Sequence, residues 1–405
     1  MPNLVMVMPY KAYLGKARAE GFRITAIWDP AEAARLFGAD APEYLKEVES
    51  LAESLWLVDF TDRAAYAEAI RAAVRDTGAR HVWHVGSEES MQLAYEVADE
   101  LGVAVNSPRS VFLLNDKLAM RTLLRDKGIS TVRFAVADRW QDIEPLLVNF
   151  SLPVVVKPAA LSASRGTRLL TDPADLPAWG DELAALAYSG PLLVEEYLRG
   201  PEFSVETMTV RGEHHVLGVT RKLLGPLPHF VERGHLFGEP ETAGTRAAAA
   251  LAVELLDAVG YQCGPTHTEV ILTSDGPRIV ESQARLGGDK IPDIIGHARG
   301  FDVKRAMFAA LAGRTSLPEP GGLVGHIAYF SFPTGVLRSV TGLGEARALD
   351  YVDTLSFPFV PGDVLPETVS SKTRHGFVIL TGSANAAEAQ ARADHVRALI
   401  EVEVR

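Results

Sequence analysis

Along the first hundred positions, apolar and polar residues fall into two kinds of block. Short apolar runs at residues 4–8, 23–28, 55–58, 81–85 and 103–106 are separated by stretches with helical spacing, among them 63–76 and 89–101. A run of four to six apolar residues bounded by polar turns fits a buried strand, and the stretches between fit amphipathic helices. Strict alternation of the two predicts a doubly wound parallel sheet, which binds ligands beyond the carboxyl ends of its strands. Gly86-Ser87-Glu88 stands at such a place after the fourth strand, so Glu88 is a candidate ligand residue, although a helix cap accounts for the same three residues. No G-x-G-x-x-G follows the first strand, which argues against a dinucleotide-dependent oxidoreductase.

The pattern changes after Asn115. A helix is predicted over 117–127, then strands over 132–136 and 152–157, a loop of small residues, and strands over 168–170 and 192–195. Residues 205–210 and 215–219 read as an antiparallel pair, 247–259 as an alanine-rich helix, and two further strands flank Ser274-Asp275-Gly276. Short strands at 325–330 and 376–380 and a closing helix over 386–401 complete an α+β second part. Ser189-Gly190-Pro191 and the stretch 318–322 have the turn chemistry of boundaries. Three units are expected: 1–114, 115–200 and 201–405.

A chain of 405 residues is long enough for two or three packed lobes. Its formal net charge of −12 excludes the basic footprint of a nucleic-acid binder. An acidic protein that handles phosphates must gather positive charge locally, which directs attention to individual Lys and Arg residues. The single cysteine, Cys263, allows no intramolecular disulfide and reads as a small buried apolar residue. The apolar run at 4–8 is too short for a signal peptide or a membrane span, so a cytoplasmic protein without membrane partners is expected.

The densest chemistry lies between His267 and Asp289. Ser-Asp-Gly is good turn chemistry between apolar runs, and a hairpin centred near Asp275 sets Glu269 opposite Glu281. Facing carboxylates repel unless a cation lies between them, and hard oxygen donors favour Mg²⁺ or Mn²⁺. Gln283 and Arg285 follow at i+2 and i+4, on the same face if the strand stays regular, which adds an amide oxygen and a guanidinium. Gly287-Gly288 then lets a ligand approach the backbone. A solvated strand face would carry the same residues. The surrounding Val270, Ile271, Leu272, Ile279 and Val280 weigh against it, because buried charges need partners.

Upstream, Lys157 ends a buried apolar strand, where an ammonium is costly unless it meets an anion. The loop from Ala160 to Thr167 contains Ser164 and Gly166 and is rich in small and hydroxyl residues that suit phosphate oxygens, or a surface turn. It is not a Walker loop. Glu195, Glu196, Tyr197 and Leu198, followed by Glu202, read as strand, bend, strand.

In this order these pieces resemble the ATP-grasp superfamily over nearly the whole chain. The resemblance implies an N-terminal pre-ATP-grasp domain followed by a two-lobed ATP-grasp fold. It implies Lys117 and Lys157 on ATP phosphates, Ser164 to Thr167 as a lid, Glu195 to Leu198 at adenine and Glu202 at ribose. Glu269, Glu281 and Gln283 would hold Mg²⁺, and Arg285 with Gly288 would stabilise the reacting acyl phosphate. Many members carry Asn at the Gln283 position. His267-Thr-Glu269, Glu281-Ser-x-Ala-Arg285, Gly288 and Ile291-Pro292 are similar to L-amino-acid ligases of the bacilysin-synthetase type. Some of those carry Trp where this chain has Asp289, so a different substrate, polar or amino-bearing, is implied. Lys222, Glu232, His235, His267, Gly287 and Asp289 are candidate substrate contacts.

The activity implied is ATP-dependent joining of an amino-acid carboxylate to an amine through an acyl phosphate, in a cytoplasmic homodimer. An ATP-grasp carboxylase or purine-pathway ligase working through carboxyphosphate, and a nucleotide-binding regulator without turnover, are the alternatives.

Overall fold

The computed structural model describes residues 1–86, 88–319 and 321–405, without the side chains of Glu88 and Glu89. Strands β1 (Asn3–Val7), β2 (Arg23–Trp28), β3 (Ser54–Leu57) and β4 (His81–His84) form a parallel sheet in the order β3-β2-β1-β4. The expected fifth strand at 103–106 is reduced to one parallel bridge, Val82 to Ala104. The reason is local. Asn106 spends its side chain on the backbone of Gln262 and Cys263, and Ser107 caps the helix Pro108–Asn115 at once.

A second, antiparallel sheet follows. Its strands β5 (Phe134–Ala137), β6 (Val154–Pro158), β7 (Arg168–Leu170) and β8 (Leu192–Glu196) lie in the order β5-β8-β6-β7. They enclose their own core of Val154, Val156, Leu170, Trp179, Leu183 and Val194. Ser189-Gly190-Pro191, expected as a boundary, lies inside this lobe between the helix Leu176–Ala185 and β8, because Leu183 and Leu192 on either side pack into the same core.

The rest of the chain supplies β9 (Glu202–Val210), β10 (Glu213–Leu224), β11 (Glu232–Phe237), β12 (Cys263–Thr273), β13 (Gly276–Gln283), β14 (Val324–Tyr329), β15 (Gly335–Thr341), β16 (Val352–Ser356), β17 (Val364–Leu365), β18 (Phe377–Ser383) and β19 (Glu401–Val404). Eight of them make one large sheet, in the order β13-β12-β9-β10-β11-β14-β18-β16. The helices Ile291–Arg299 and Val303–Leu311 share one buried cluster with Met208, Phe237, Ile327 and the core of the parallel sheet. The first lobe is thereby packed onto the large sheet.

The closing helix ends at Leu399, two residues earlier than expected. Ile400, Val402 and Val404 are β-branched and alternate with charge, which favours the strand β19 that pairs with β15.

Candidate active site on the eight-stranded sheet

The β12–β13 hairpin turns at Ser274-Asp275, with Thr273 opposite Gly276, whose φ of +103° suits glycine. Counted from this turn alone, Glu269 would face Val280. The register shifts between Glu269 and Val270, Val280 becomes the extra residue of a bulge, and Glu269 faces Glu281. The buried Arg121 takes the carbonyls beside the bulge, donating to the Ile279 oxygen at 2.8 Å and the Val280 oxygen at 2.9 Å. The predicted opposition therefore holds, although the turn by itself would not produce it.

Each carboxylate of the pair has a lysine. Lys117 Nζ lies 3.3 Å from Glu281 Oε2, and Lys222 Nζ lies 2.9 Å from Glu269 Oε1. Gln283 Nε2 donates to Glu281 Oε1 at 2.6 Å, so the three proposed metal ligands sit together. Burial would raise the Glu269 carboxyl, but Lys222 and His267 outweigh it and hold it well below the usual carboxylate range. Two facing carboxylates and an amide suit a hard divalent cation. Among the described residues no group of three His, Cys, Asp or Glu is placed to hold a metal ion. Glu269 and Glu281, with the Gln283 amide beside them, are the residues that would hold such a cation.

Arg285 departs from the expected strand face. Strand β13 ends at Gln283, and Asn115 Oδ1 captures the Ala284 backbone N–H at 2.8 Å, which draws the chain out of the ladder. Arg285 sits in the bend that follows and donates to the Leu286 carbonyl at 3.0 Å. Burial pushes the hydroxyl of Tyr13, in the first lobe, up to about 12, and the Arg285 charge opposes that rise.

A second bulge shapes the opposite side of the site. Leu223 pairs with Gly234 and Leu224 with Glu232, so Arg233 is the extra residue. Glu232 and His235 then share a face with Lys222, which pairs with His235. Lys222 Nζ lies 2.5 Å from Glu202 Oε1 and 3.6 Å from Glu232 Oε1. Burial would lower the Lys222 ammonium, but Glu202, Glu269 and Glu232 together raise it well above its ordinary value. His267 is buried between Glu206, at 2.9 and 3.0 Å, and Glu269, at 3.4 Å. Burial would lower its pKa, but Glu206 dominates and brings it to about 9, so the ring is an imidazolium at neutral pH. A Cβ on Gly287 would stand 2.8 Å from His267 Nδ1 and 3.1 Å from Glu206 Oε2, whereas Gly288 is exposed with open space around it.

The expected nucleotide residues lie on the helix Lys117–Lys127, at the end of β6, in the loop after it, and on β8, β9 and the bend between them. Lys157 Nζ is 2.6 Å from Glu195 Oε2, and Arg121 Nε is 2.8 Å from Glu195 Oε1. Burial would raise Glu195, but Arg121 and Lys157 hold it below the usual range. Its side chain is committed to this internal triad. Glu196 Oε1 accepts from the Arg133 backbone N–H at 2.8 Å. Tyr197 and Leu198, both half-buried, lead into β9, and the Tyr197 ring lies 6.3 Å from that of Phe230.

Lys117 Nζ also donates to the Leu161 carbonyl at 3.0 Å. The small-residue loop is tied down at several points: Ser164 Oγ donates to the Phe230 carbonyl, the Gly166 carbonyl accepts from Trp179 Nε1, and the Ala163 carbonyl accepts from the Ser371 N–H.

Asp289, expected as a substrate-facing residue, is gripped by protein. Arg374 binds it through two N–H groups at 2.8 and 2.6 Å, and His235 Nε2 lies 3.3 Å away. Ser371 Oγ donates to Glu232 Oε2 at 2.5 Å. The side chain of Glu88 lies outside the described residues.

The structure thus brings Lys117, Lys157, Glu195, Glu202, Lys222, Glu269, Glu281, Gln283 and His267 into one connected set. Sequence reading missed Arg121, Glu206, Ser371 and Arg374. Arg121 carried a faint signal, standing four residues after Lys117 on the same helix face.

Residues 150–293 match the ATP-grasp domain, and residues 328–405 match the L-amino acid ligase C-terminal domain 2. Protein y4rH of Sinorhizobium fredii is 33% identical over 67% of this chain, which spans 58% of that protein's length. Dapdiamide A synthase of Enterobacter agglomerans is 24% identical over 72% of this chain and 70% of its own. The L-amino acid ligase from Bacillus licheniformis has the same fold, with a TM-score of 0.81 over 100% of this chain and 99% of that one at 21% identity. The chain thus carries an ATP-grasp domain followed by an L-amino acid ligase C-terminal domain.

Proposed function

We propose that this protein is an ATP-dependent carboxylate–amine ligase that joins an amino-acid carboxylate to an amine, with a second amino acid as the amine. The observation that carries this reading is the facing pair Glu269 and Glu281, flanked by Lys222 and Lys117 beneath the loop 159–167. ATP would lie between the two antiparallel sheets, with adenine against the backbone of Glu196 to Leu198 and the ribose near Glu202. Lys157 and Lys117 would meet its phosphates, and Ser164 and Gly166 would cover them. Glu269, Glu281 and Gln283 would hold Mg²⁺ or Mn²⁺, which when bound supplies charge neutralisation at the phosphate oxygens. The lysines beside Glu281 and Glu269 support the reading of a pair that takes positive charge.

The substrate carboxylate oxygen attacks the γ-phosphorus, the bond to the β-phosphate oxygen breaks, and ADP leaves. Catalysis of this step is mostly positioning and electrostatics. The amine then attacks the acyl carbon, loses a proton and expels phosphate, so the products are an amide, ADP and phosphate. Arg285 and the backbone at Gly288 would steady the charge on the acyl oxygen. His267, held by Glu206, would keep Glu269 in place. Closure of the loop would keep water from the acyl phosphate.

The test is phosphate release with ATP and Mg²⁺ across single amino acids, amino-acid pairs and bicarbonate. The ligase reading expects turnover with an amino-acid pair and a product that is their amide. Turnover with bicarbonate alone would replace it by a carboxylase, and ATP binding without turnover on the whole panel would favour a regulator.

A further inference from the structure

Ser371 opens a one-turn 3-10 helix, Ser371–Thr373, in the region that matches the L-amino acid ligase C-terminal domain 2. A capping box between Ser370 and Thr373 closes that turn. The three polar groups of Ser371 make three separate bonds. Its carbonyl accepts from Arg374 Nε at 3.0 Å, and Arg374 is itself fixed by paired bonds to Asp289. Its Oγ donates to Glu232 Oε2 at 2.5 Å, and the other oxygen of Glu232 lies 3.6 Å from Lys222 Nζ. Its backbone N–H donates to the Ala163 carbonyl at 3.3 Å, in the loop between β6 and β7. Two of these bonds anchor Ser371 to the side of the large sheet. The third reaches a loop of the four-stranded antiparallel sheet.

That loop needs to be held. Ala163 and Ser164 both have left-handed backbones, with φ of +61° and +56°, although neither is glycine. Such residues occupy this region at a cost and persist where their surroundings fix them. Three of the fixing bonds come from outside the four-stranded sheet. Lys117 Nζ donates to the Leu161 carbonyl at 3.0 Å, Ser164 Oγ donates to the Phe230 carbonyl at 3.2 Å, and the Ser371 N–H takes the Ala163 carbonyl between them. A strained loop tied by a few single bonds opens more often when one of them is removed. Ser371 can carry such a tie because its other two polar groups are already anchored.

We propose that Ser371 is a positioning residue, a latch by which the C-terminal domain holds the loop 159–167 closed. Its effect on the reaction rests on the ligase reading above, whereas the latch itself does not. With the loop open, water takes the place of the amine at the acyl phosphate. The water oxygen joins the acyl carbon, phosphate leaves and the carboxylate is regenerated, so ATP is hydrolysed and no amide forms.

The experiment uses the full-length protein and three variants. Ser371→Pro removes both the N–H and the Oγ. Proline suits the first position of a helical turn that follows an extended residue, and Ser370 has φ of −154° and ψ of 169°. Ser371→Ala removes the Oγ alone, and Ser371→Thr keeps both groups. Hydrogen exchange is read by mass spectrometry on the unliganded protein. Ser371→Pro should speed exchange in residues 159–167 by about tenfold or more, with the helix Lys117–Lys127 unchanged and Ser371→Thr like wild type. The second readout is ADP formed per amide, with ATP, Mg²⁺ and an amino-acid pair. It should be about one in wild type and Ser371→Thr and about two or more in Ser371→Pro, whereas general loss of structure lowers both products together. Loop exchange within about twofold of wild type in Ser371→Pro overturns the latch, as does faster exchange spread evenly over the chain. Ser371→Ala carries the same exchange test, with the same overturning result, if the proline variant does not fold. Absence of amide with every pair removes the ligase reading, while the exchange result still decides the latch.

Discussion

Glu269 and Glu281 face each other across β12 and β13 because Val280 is one residue too many for its strand. Arg121 secures that arrangement from the helix Lys117–Lys127, holding the bulge carbonyls with one end of its guanidinium and Glu195 with its Nε. The Glu269–Glu281 pair and Lys157 are therefore linked through a single buried cation.

Replacing Arg121 with Met should cost about 3 kcal/mol of stability, the lower end for breaking a buried ion pair, since Lys157 remains on Glu195. Chemical denaturation measures this. A loss below about 1 kcal/mol would mean that the guanidinium does not hold the bulge and the Glu195 triad together.

Glu281→Ala and Arg285→Ala should each reduce ATP turnover by about a hundredfold or more while the fold is kept, as expected for groups that neutralise charge in the transition state. Steady-state rates together with circular dichroism decide the matter. A near-wild-type rate in either variant removes that residue from the site.

The buried His267 gives a pH signature. Its folded value of about 9 lies above the ordinary 6.5, so its stabilising contribution is full below pH 6.5 and fades as pH rises through 9. Denaturation of wild type and His267→Gln at pH 6, 7.5 and 9 should show the difference between them narrowing with pH. A gap that widens over that window contradicts the imidazolium assignment. Glu195 works in the opposite sense: its depressed value gives stability above the ordinary carboxyl range that is lost in acid.

Gly287 and Gly288 should separate cleanly. Gly287→Ala drives a methyl against His267 and Glu206 and should destabilise the protein by about 1–3 kcal/mol, the usual cost of overpacking. Gly288→Ala meets nothing within 4 Å and should leave the melting temperature unchanged. Equal effects on stability would show that the packing around His267 is looser than described.

Much of the frame was legible in residue patterns. The bounds of β2, β7 and the helix Lys117–Lys127 follow directly from apolar runs and caps, since Asp116 and Gly128 close that helix at both ends. The facing glutamates were legible from turn chemistry, although the register depended on a bulge that a period of two cannot reveal. Arg374 and Glu206 were not legible. Their partners lie 85 and 61 residues away, and only tertiary packing joins them. Asp289 shows the limit from the other side: its charge is cancelled by Arg374, a residue that no local motif announces.

The central claim is that a carboxylate oxygen attacks the γ-phosphorus of ATP at the Glu269–Glu281 pair. Turnover with a substrate amino acid carrying ¹⁸O in its carboxylate tests this most directly. The account predicts that one ¹⁸O appears in each inorganic phosphate released and that ADP carries none. Unlabelled phosphate, or label in AMP, would contradict it.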